Sequence, residues 1–286
     1  MAVKPVFIPK NTPPFRTSWN AEYVYNGGFA VSQKQKNITA VHEAFTDSHP
    51  GKKVLEISSK SMQDGGSRLS AFHLMKFVPS LNRSLPVENV FQAGKVFKSG
   101  GPYTDLLSVS PKDAKRDERL RTSGPLTSFR FETLDFPLQP QTLFYDYLYI
   151  NALLENEDLA KIVLEYDAFT DIEFNPEKSI NCQAKSAAMF VSLHRLNLLD
   201  KVRDPADFME LVGVHPSPAS SRPVPEPKQD SKPQEPALGT GDSISHKLWG
   251  TGVIEEITGS SAAVKFPSVG QKKLGIDWIM KNCQIL

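Results

Sequence analysis

The stretch HPSPASSRPVPEPKQDSKPQEPALGTG, from His215 to Gly241, most constrains how this chain can fold. Each of its seven prolines removes a backbone donor, and the segment carries no periodic apolar pattern with which a helix or strand could bury a face. It reads as an extended, disordered linker, or alternatively as a PxxP ligand for a partner. The chain is therefore expected to fold as two bodies, a domain over residues 1–212 and a module over 242–286, joined by a linker over 213–241.

The remaining bulk features exclude more than they assign. With 33 basic and 32 acidic residues, any polyanion site must be local. Only Cys182 and Cys283 are present, in different expected domains, so neither a disulfide framework nor a Cys-based zinc site follows. The opening MAVKPVFIPKNTPPF lacks an apolar signal core, and no run reaches the roughly 18 residues needed to span a bilayer. A reducing cytoplasm and no membrane partner are the expectation. His42, His73 and His194 share no metal-ligand spacing, and GxGxxG, Walker and GxSxG motifs are missing. No metal or cofactor is assigned.

Before the linker, helical and strand-like segments alternate. Val3–Ile8, Tyr23–Tyr25 and Val54–Ile57 read as strands. Asn37 is a candidate cap for a helix presenting Ile38, Val41 and Phe45, and further helices are expected at Leu69–Phe77, Pro86–Lys98, Thr142–Leu154, Asp158–Tyr166, Ser179–Leu196 and Asp204–Val212. This is a helix-rich α+β domain. After the linker the period becomes two: Gly252–Ile257 and Ala262–Phe266 flank a turn containing Gly259, Lys272–Ile276 adds a strand, and Asp277–Asn282 a helical turn. A small all-β module of SH3-like or Tudor-like type fits. Its HKLWGTGVI opening, His246 to Ile254, resembles Tudor-like modules at the C-termini of some bacterial helicases and implies a binding role. Lys247, Lys265, Lys272, Lys273 and Lys281 with Trp249 and Trp278 offer charge and stacking for DNA, or form an ordinary small core with surface lysines.

Two constellations carry possible chemistry. Read as a helix, Pro86–Phe97 places Val87, Val90, Phe91, Gly94 and Phe97 on an apolar stripe, with Glu88, Gln92 and Lys95 aligned beside it. A carboxylate, an amide and an amine on one helix at the edge of the core suit acid/base or covalent work on a small polar ligand. Glu88 alternatively caps the helix, and Lys95 alternatively snorkels to solvent. The second is DAFTDIEFNPEKSINCQAKS, Asp167–Ser186, where acidic groups and asparagines precede a helix. It is either a solvated, capped loop or a ligand cradle, with Lys178, Asn181 and Lys185 for a diphosphate and Asp171 or Glu173 for a ribose or water. Polar loops at Ser32–Lys36 and Ser58–Ser61 follow apolar runs, where α/β folds tend to place ligands. The turn at Gly100–Asp105 can return Tyr103 and Asp105 toward the Glu88 helix. The basic run from Ala114 to Arg121 is a solvated face or a phosphate edge.

The VENVFQAGK and SPKDAKR segments together resemble the NADAR family, which shares a (V/S)E-x-x-(F/Y)Q-A-x-K helix followed some twenty residues later by an A-K element. FAVSQKQK, LEISSKS, RLSAFHL, GGPYTDL, FYDYLYINAL and YDAFTDIEFNPEKSINCQAKSAA resemble one branch, the NADAR antitoxins paired with DarT-type DNA ADP-ribosyltransferase toxins. The similarity runs from about Gly28 to Leu199. Asn89 stands where many relatives have His, and the tryptophan of other branches is replaced by Phe136, Tyr145 or Tyr147. The resemblance implies hydrolysis of the N-glycosidic bond between ADP-ribose and the guanine amine of DNA, with a cognate DarT-type toxin and ADP-ribosylated DNA as partners. It implies Glu88, Lys95 and Asp171 as catalytic residues. Ser32, Lys34, Ser58, Ser59, Lys60, Arg68, Gln92, Tyr103, Lys115, Asn175, Lys178 and Asn181 are then substrate contacts. Glu88 would serve as general base on water, or Lys95 or Lys60 would attack the anomeric carbon. Action on a small phosphoribosyl-type metabolite and non-catalytic sequestration of the toxin are the competing functions.

Overall fold

A computed structural model describes residues 1–214, 240–258 and 261–285. The linker reading for 215–239, the Gly259 turn and the side chain of Lys281 lie outside the described residues. The contacts divide the chain into two units, Met1–Ser217 and Pro218–Leu286.

In the first unit, β1 (Ala2–Pro9) and β2 (Arg16–Tyr23) form an antiparallel hairpin in unbroken register from Ala2↔Tyr23 to Pro9↔Arg16. α1 (Val31–Ser48) and β3 (Val54–Glu56) follow, then the hairpin of β4 (Met75–Val78) and β5 (Arg83–Pro86). β5 runs straight into α2 (Val87–Ala93), whose chain turns back at Gly94 as β6 (Lys95–Phe97). Short helices α3 (Pro111–Arg116) and α4 (Arg119–Thr122) lead to β7 (Leu126–Phe131) and β8 (Leu134–Phe136), which make a three-stranded sheet with β6. α5 (Leu143–Glu155), α6 (Glu157–Leu164), β9 (Ala168–Thr170), α7 (Gln183–Arg195), α8 (Asp200–Arg203) and α9 (Pro205–Leu211) complete it.

The main sheet has the order β2-β1-β9-β3, with β9 antiparallel to β1 and parallel to β3. Parallel pairing brings the C-terminal ends of β3 and β9 side by side, so the loops starting at Ile57 and Asp171 leave the sheet together. α5 is buried from Leu143 to Leu153 and α7 from Gln183 through Leu193 apart from half-buried Lys185, which makes these two helices the centre of the core. Their packing surrounds Phe144, Leu148, Tyr149, Met189 and Phe190. Each fully buried apolar side chain contributes about 1.5–3 kcal/mol before entropy is counted. One buried ion pair crosses the core: Asp146 accepts from Arg16 at 2.8 Å and from the Ser186 hydroxyl at 2.6 Å.

The structure corrects several expectations. α1 starts at Val31, so Ser32 and Lys34 are helical, and Asn37 lies buried inside the helix instead of capping it. Leu69–Phe77 is a series of turns running into β4, not a helix. The helix expected over Pro86–Lys98 ends at Ala93, because a Cβ on Gly94 would stand 2.5 Å from the Arg130 carbonyl oxygen and 2.8 Å from the Phe144 ring. Arg130 donates its N–H to the Gly94 carbonyl at 2.7 Å, and this contact starts β6. α7 starts at Gln183, after the expected Ser179, leaving 171–182 as loop.

The second unit is an antiparallel sheet in the order β13-β12-β11-β10-β14. Its strands are β10 (Ser243–His246), β11 (Gly250–Thr258), β12 (Ser261–Phe266), β13 (Gly270–Gly275) and β14 (Cys283–Ile285), with α10 (Ile276–Asn282) before the last. Alternating burial of Ile244, Ile254, Ala262, Val264 and Phe266 gives it a small core of its own, closed by Ile279.

Candidate functional site

Glu88 sits in the first turn of α2, 5% exposed, and its N–H bonds the Ala71 carbonyl at 2.9 Å. The Gln92 amide, one turn on, donates to Glu88 Oε1 at 2.8 Å, and Lys115 Nζ reaches the same oxygen at 3.6 Å from α3. That arrangement leaves Oε2 without a protein donor among the described residues. Gln92 is thereby fixed in orientation, and its own Oε1 is buried with no donor. Asn89 gives its amide hydrogens to the carbonyls of Leu106 and Val109 at 2.8 and 2.9 Å, tying the segment before α3 onto α2 so that Lys115 can reach Glu88.

Lys95 is not on the helix with Glu88 and Gln92. It is the first residue of β6, and the turn at Gly94 carries its amine over the Phe91 ring, 4.9 Å from the centroid. Burial lowers its pKa to about 8, opposed by the Glu88 charge and helped by Lys115. A half-buried amine partly neutral near pH 7.5, within the field of an acidic side chain, is thus reached by strand geometry. Tyr145, edge-on to Phe91 at 5.1 Å, is fully buried, and its hydroxyl pKa is raised well above 10 by burial first and then by Glu88. Of the three aromatics named as substitutes for the missing tryptophan, Tyr145 stands beside the acid. Tyr147 and Phe136 pack on each other, ring centroids 4.9 Å apart.

The second constellation has a different construction. Asp171 Oδ1 accepts the N–H groups of Glu173 and Phe174 at 3.0 and 3.1 Å, and Oδ2 faces the Cys182 thiol at 3.8 Å. Lys4 of β1 donates to the carbonyls of Ile172, at 2.9 Å, and Phe174. Glu56, wholly buried, accepts from Ile172 N–H at 2.8 Å and from the Thr170 hydroxyl at 2.6 Å, and also bonds Ser58. Burial drives Lys4 down and Glu56 up, and raises Asp171 to about 7 with help from Glu56. His42 reaches the Thr170 oxygen at 2.8 Å, and burial lowers its pKa to about 4. Since Thr170 donates to Glu56, this neutral His42 must be the donor through Nε2–H. Asp171 therefore turns inward to shape its own loop. Sequence reading missed Lys4, Glu56 and His42, although Lys4 shares the inward parity of Val6 on β1.

The two constellations are tied together through α7. Gln183 accepts from Ala71 N–H at 2.8 Å and donates to the Ile57 carbonyl at 2.5 Å, while the Ala71 carbonyl takes the Glu88 N–H. The 58–71 segment, the start of α2 and the start of α7 form one connected frame. The Asp171 and Glu88 charges both act on Tyr145.

The other named residues fall into two groups. Lys115, Gln92 and Lys95 gather at Glu88, and Ser58 and Lys34 join the second constellation, Lys34 through Glu173 at 3.8 Å. Asn181 sits at the foot of the 171–182 loop with a buried, donorless Oδ1, and Asn175 caps Glu177 N–H at 2.9 Å. Ser59 accepts from Lys60 Nζ at 3.0 Å at the surface, and Ser32, Arg68 and Lys178 are exposed. Tyr103 does return to α2, its N–H on the Ala93 carbonyl at 2.9 Å, but its hydroxyl bonds Ser123 and its ring lies under Arg119. Asp105 pairs with Arg119 at 2.6 Å, away from Glu88. Lys185 folds back onto the loop, donating to the Ile180 carbonyl at 3.0 Å with its amine over the Phe174 ring. Two clefts border these groups: about 410 Å³ beside α1 and β3, lined by His42, Lys53 and Tyr166, and about 260 Å³ on the Val90–Ala93 side of α2.

The model of the DarT1-associated NADAR antitoxins matches residues 2–221, most of the chain and all of the described first unit after Met1. The chain belongs to that family. No curated protein matches it. Its partner toxin is accordingly of the DarT type. The matched span contains both constellations of this NADAR antitoxin and excludes the described part of the C-terminal β module. Among the described residues, no helix is long and apolar enough to cross a membrane.

Proposed function

We propose that this antitoxin removes ADP-ribose from guanine in DNA, hydrolysing the N-glycosidic bond that a DarT-type toxin makes. The observation that carries the reading is the Glu88 carboxylate, held by Gln92 and Lys115 with one oxygen unpaired, beside the lowered-pKa amine of Lys95. A water proton passes to Glu88 while the water oxygen bonds the anomeric carbon and the bond to the guanine nitrogen breaks in the same step, and that nitrogen leaves as the amine after taking a proton from solvent. General-base assistance of this kind is worth roughly 10²–10⁴-fold. Lys115 stands 3.6 Å from the acid, and Gln92 fixes its rotamer. Asn175, Lys178, Asn181, Lys34 and Lys60 border the loops to which we assign the diphosphate and ribose. In this reading Asp171 orders its loop and does not touch the reacting atoms.

One observation favours a covalent variant. The half-buried Lys95 amine lies over the Phe91 ring, forms no ion pair among the described residues, and has its pKa lowered to about 8 by burial. As a free amine it would bond the anomeric carbon, expel guanine and pass through a Schiff base of the opened ribose. Lys60 is half-buried and engaged by Ser59, which favours Lys95 for this role.

The test is release of ADP-ribose from a guanine-modified oligonucleotide. Wild-type protein should restore unmodified guanine, and Glu88→Gln should not. Borohydride added during turnover should trap a lysine adduct only on the covalent route. Release from free phosphoribosylamines but not from the oligonucleotide would instead support the metabolite reading. Toxin neutralisation by Glu88→Ala without lesion removal would support sequestration. For the C-terminal unit we propose an SH3-like or Tudor-like binding role, on the ring cluster of His246, Trp249 and Trp278.

A further inference from the structure

The segment linking β2 to α1 exposes more apolar surface than any packing need explains. Val24 is 71% exposed, Tyr25 56% and Phe29 101%, and Val31 at the head of α1 is half exposed. The base of this loop is nonetheless fixed. Asn26 N–H donates to the Asn37 side-chain oxygen at 2.7 Å, and the Asn37 amide returns a bond to the Asn26 carbonyl at 3.0 Å. Gly27 and Gly28 follow, Gly28 at φ +110°, which swings Ala30 and Phe29 outward from that anchor. A firmly seated loop that holds an aromatic ring entirely in solvent is an arrangement for contact with something else.

The loop stands at the same end of the sheet as the candidate site. Along α1, His42 touches Thr170, and two turns earlier Lys34 touches Glu173. Moving toward the helix start therefore moves outward along the loop that leaves β9. Phe29 lies beyond Lys34 in that direction. The rim carries charges of both signs: Lys34 pairs with Glu173, Glu177 and Lys178 are both exposed on the same loop, and Lys60 crowns the neighbouring loop.

We infer that Tyr25 and Phe29 form a stacking platform for the bases of the single DNA strand flanking the modified guanine. This inference rests on the reading of the site as one that takes ADP-ribosylated DNA. A substrate base drawn into such a site brings its strand with it, and an aromatic face flanked by lysines holds a strand without reading its sequence. Recognition of the ADP-ribose itself stays with the loops at Glu88 and Asp171.

The two substrates that separate these parts are a guanine-modified single-stranded oligonucleotide and ADP-ribosylated guanosine, which has no strand. Phe29→Ala and Tyr25→Ala change exposed side chains and leave the fold intact. Each should raise KM for the oligonucleotide about 5- to 150-fold, the range for losing one stacked base, with kcat unchanged. For the nucleoside adduct, kcat/KM should stay within about twofold of wild type. Equal loss on both substrates would overturn the inference by making the loop part of the ADP-ribose pocket. Unchanged KM on the oligonucleotide would overturn it too, and loss of toxin binding in that same variant would assign the platform to the toxin. If the wild-type protein hydrolyses neither substrate, the functional reading has failed. Direct binding of unmodified single-stranded DNA by wild type and Phe29→Ala then still decides the platform, since equal affinities would sink it.

Discussion

Glu88 and Asp171 are both carboxylates, both more than nine-tenths buried and both felt by Tyr145, yet their surroundings differ in kind. Asp171 is enclosed by its own loop: two backbone N–H groups, a thiol, and behind them the buried Lys4 and Glu56. Every feature there fixes backbone. Glu88 is held by side chains from α2 and α3, one of them the half-exposed Lys115, and retains an oxygen with no protein donor. A buried group whose hydrogen bonds are all internal serves the fold, whereas one left partly unpaired at the rim is available to a ligand. The difference lies in the partners, not in burial.

Changes on either side should break that contrast in a defined order. The largest effect on stability belongs to Lys4→Met, which leaves the buried carbonyls of Ile172 and Phe174 without their donor. It should cost about 1–3 kcal/mol for each stranded acceptor by denaturant unfolding. Next comes Lys95. If its amine attacks, kcat should rise with pH through an inflection near 8, because only the deprotonated form is nucleophilic. Lys95→Arg should abolish both the inflection and the activity, while a Lys95→Arg enzyme with full activity would leave Glu88 and water as the whole mechanism. Asn89→Ala releases the segment before α3 and should cost about 1–3 kcal/mol, lowering kcat as Lys115 loses its seat.

Another effect concerns Asp171 and pH. Its folded pKa, raised from 3.8 to about 7, means that the native state holds a proton the unfolded chain has released across that window. Its contribution is thus fully present below about pH 4 and is lost as pH rises through 7. Asp171→Asn keeps an oxygen for the two N–H groups and removes the titration. Its unfolding free energy should fall less than wild type's between pH 4 and 7, measured by thermal or denaturant melts at each pH.

What the sequence disclosed follows the same division. α5 and α6 were legible because an apolar run or stripe is a direct image of burial. Glu88 and Gln92 were legible because they are one helical turn apart. Lys95 was named for a helix position it does not occupy. It reaches the site because Gly94 cannot carry a side chain against Arg130 and Phe144, a contact across 36 and 50 residues that no local spacing reports. Lys4 and Glu56 were invisible for a similar reason, as each is a single charge in a strand whose hydrogen-bond partners lie far along the chain. Asp171 was noticed as part of an acidic loop, but which way it turned depended on backbone N–H groups that sequence does not orient.

The most direct test sets the two acids side by side: single-turnover release of ADP-ribose from a guanine-modified oligonucleotide by Glu88→Gln and Asp171→Asn proteins. Glu88→Gln should lose about 10²–10⁴-fold in rate while melting close to wild type, and Asp171→Asn should stay within about tenfold of wild type. Full activity in Glu88→Gln, or a loss confined to Asp171→Asn, would contradict the assignment of chemistry to Glu88 and of loop structure to Asp171.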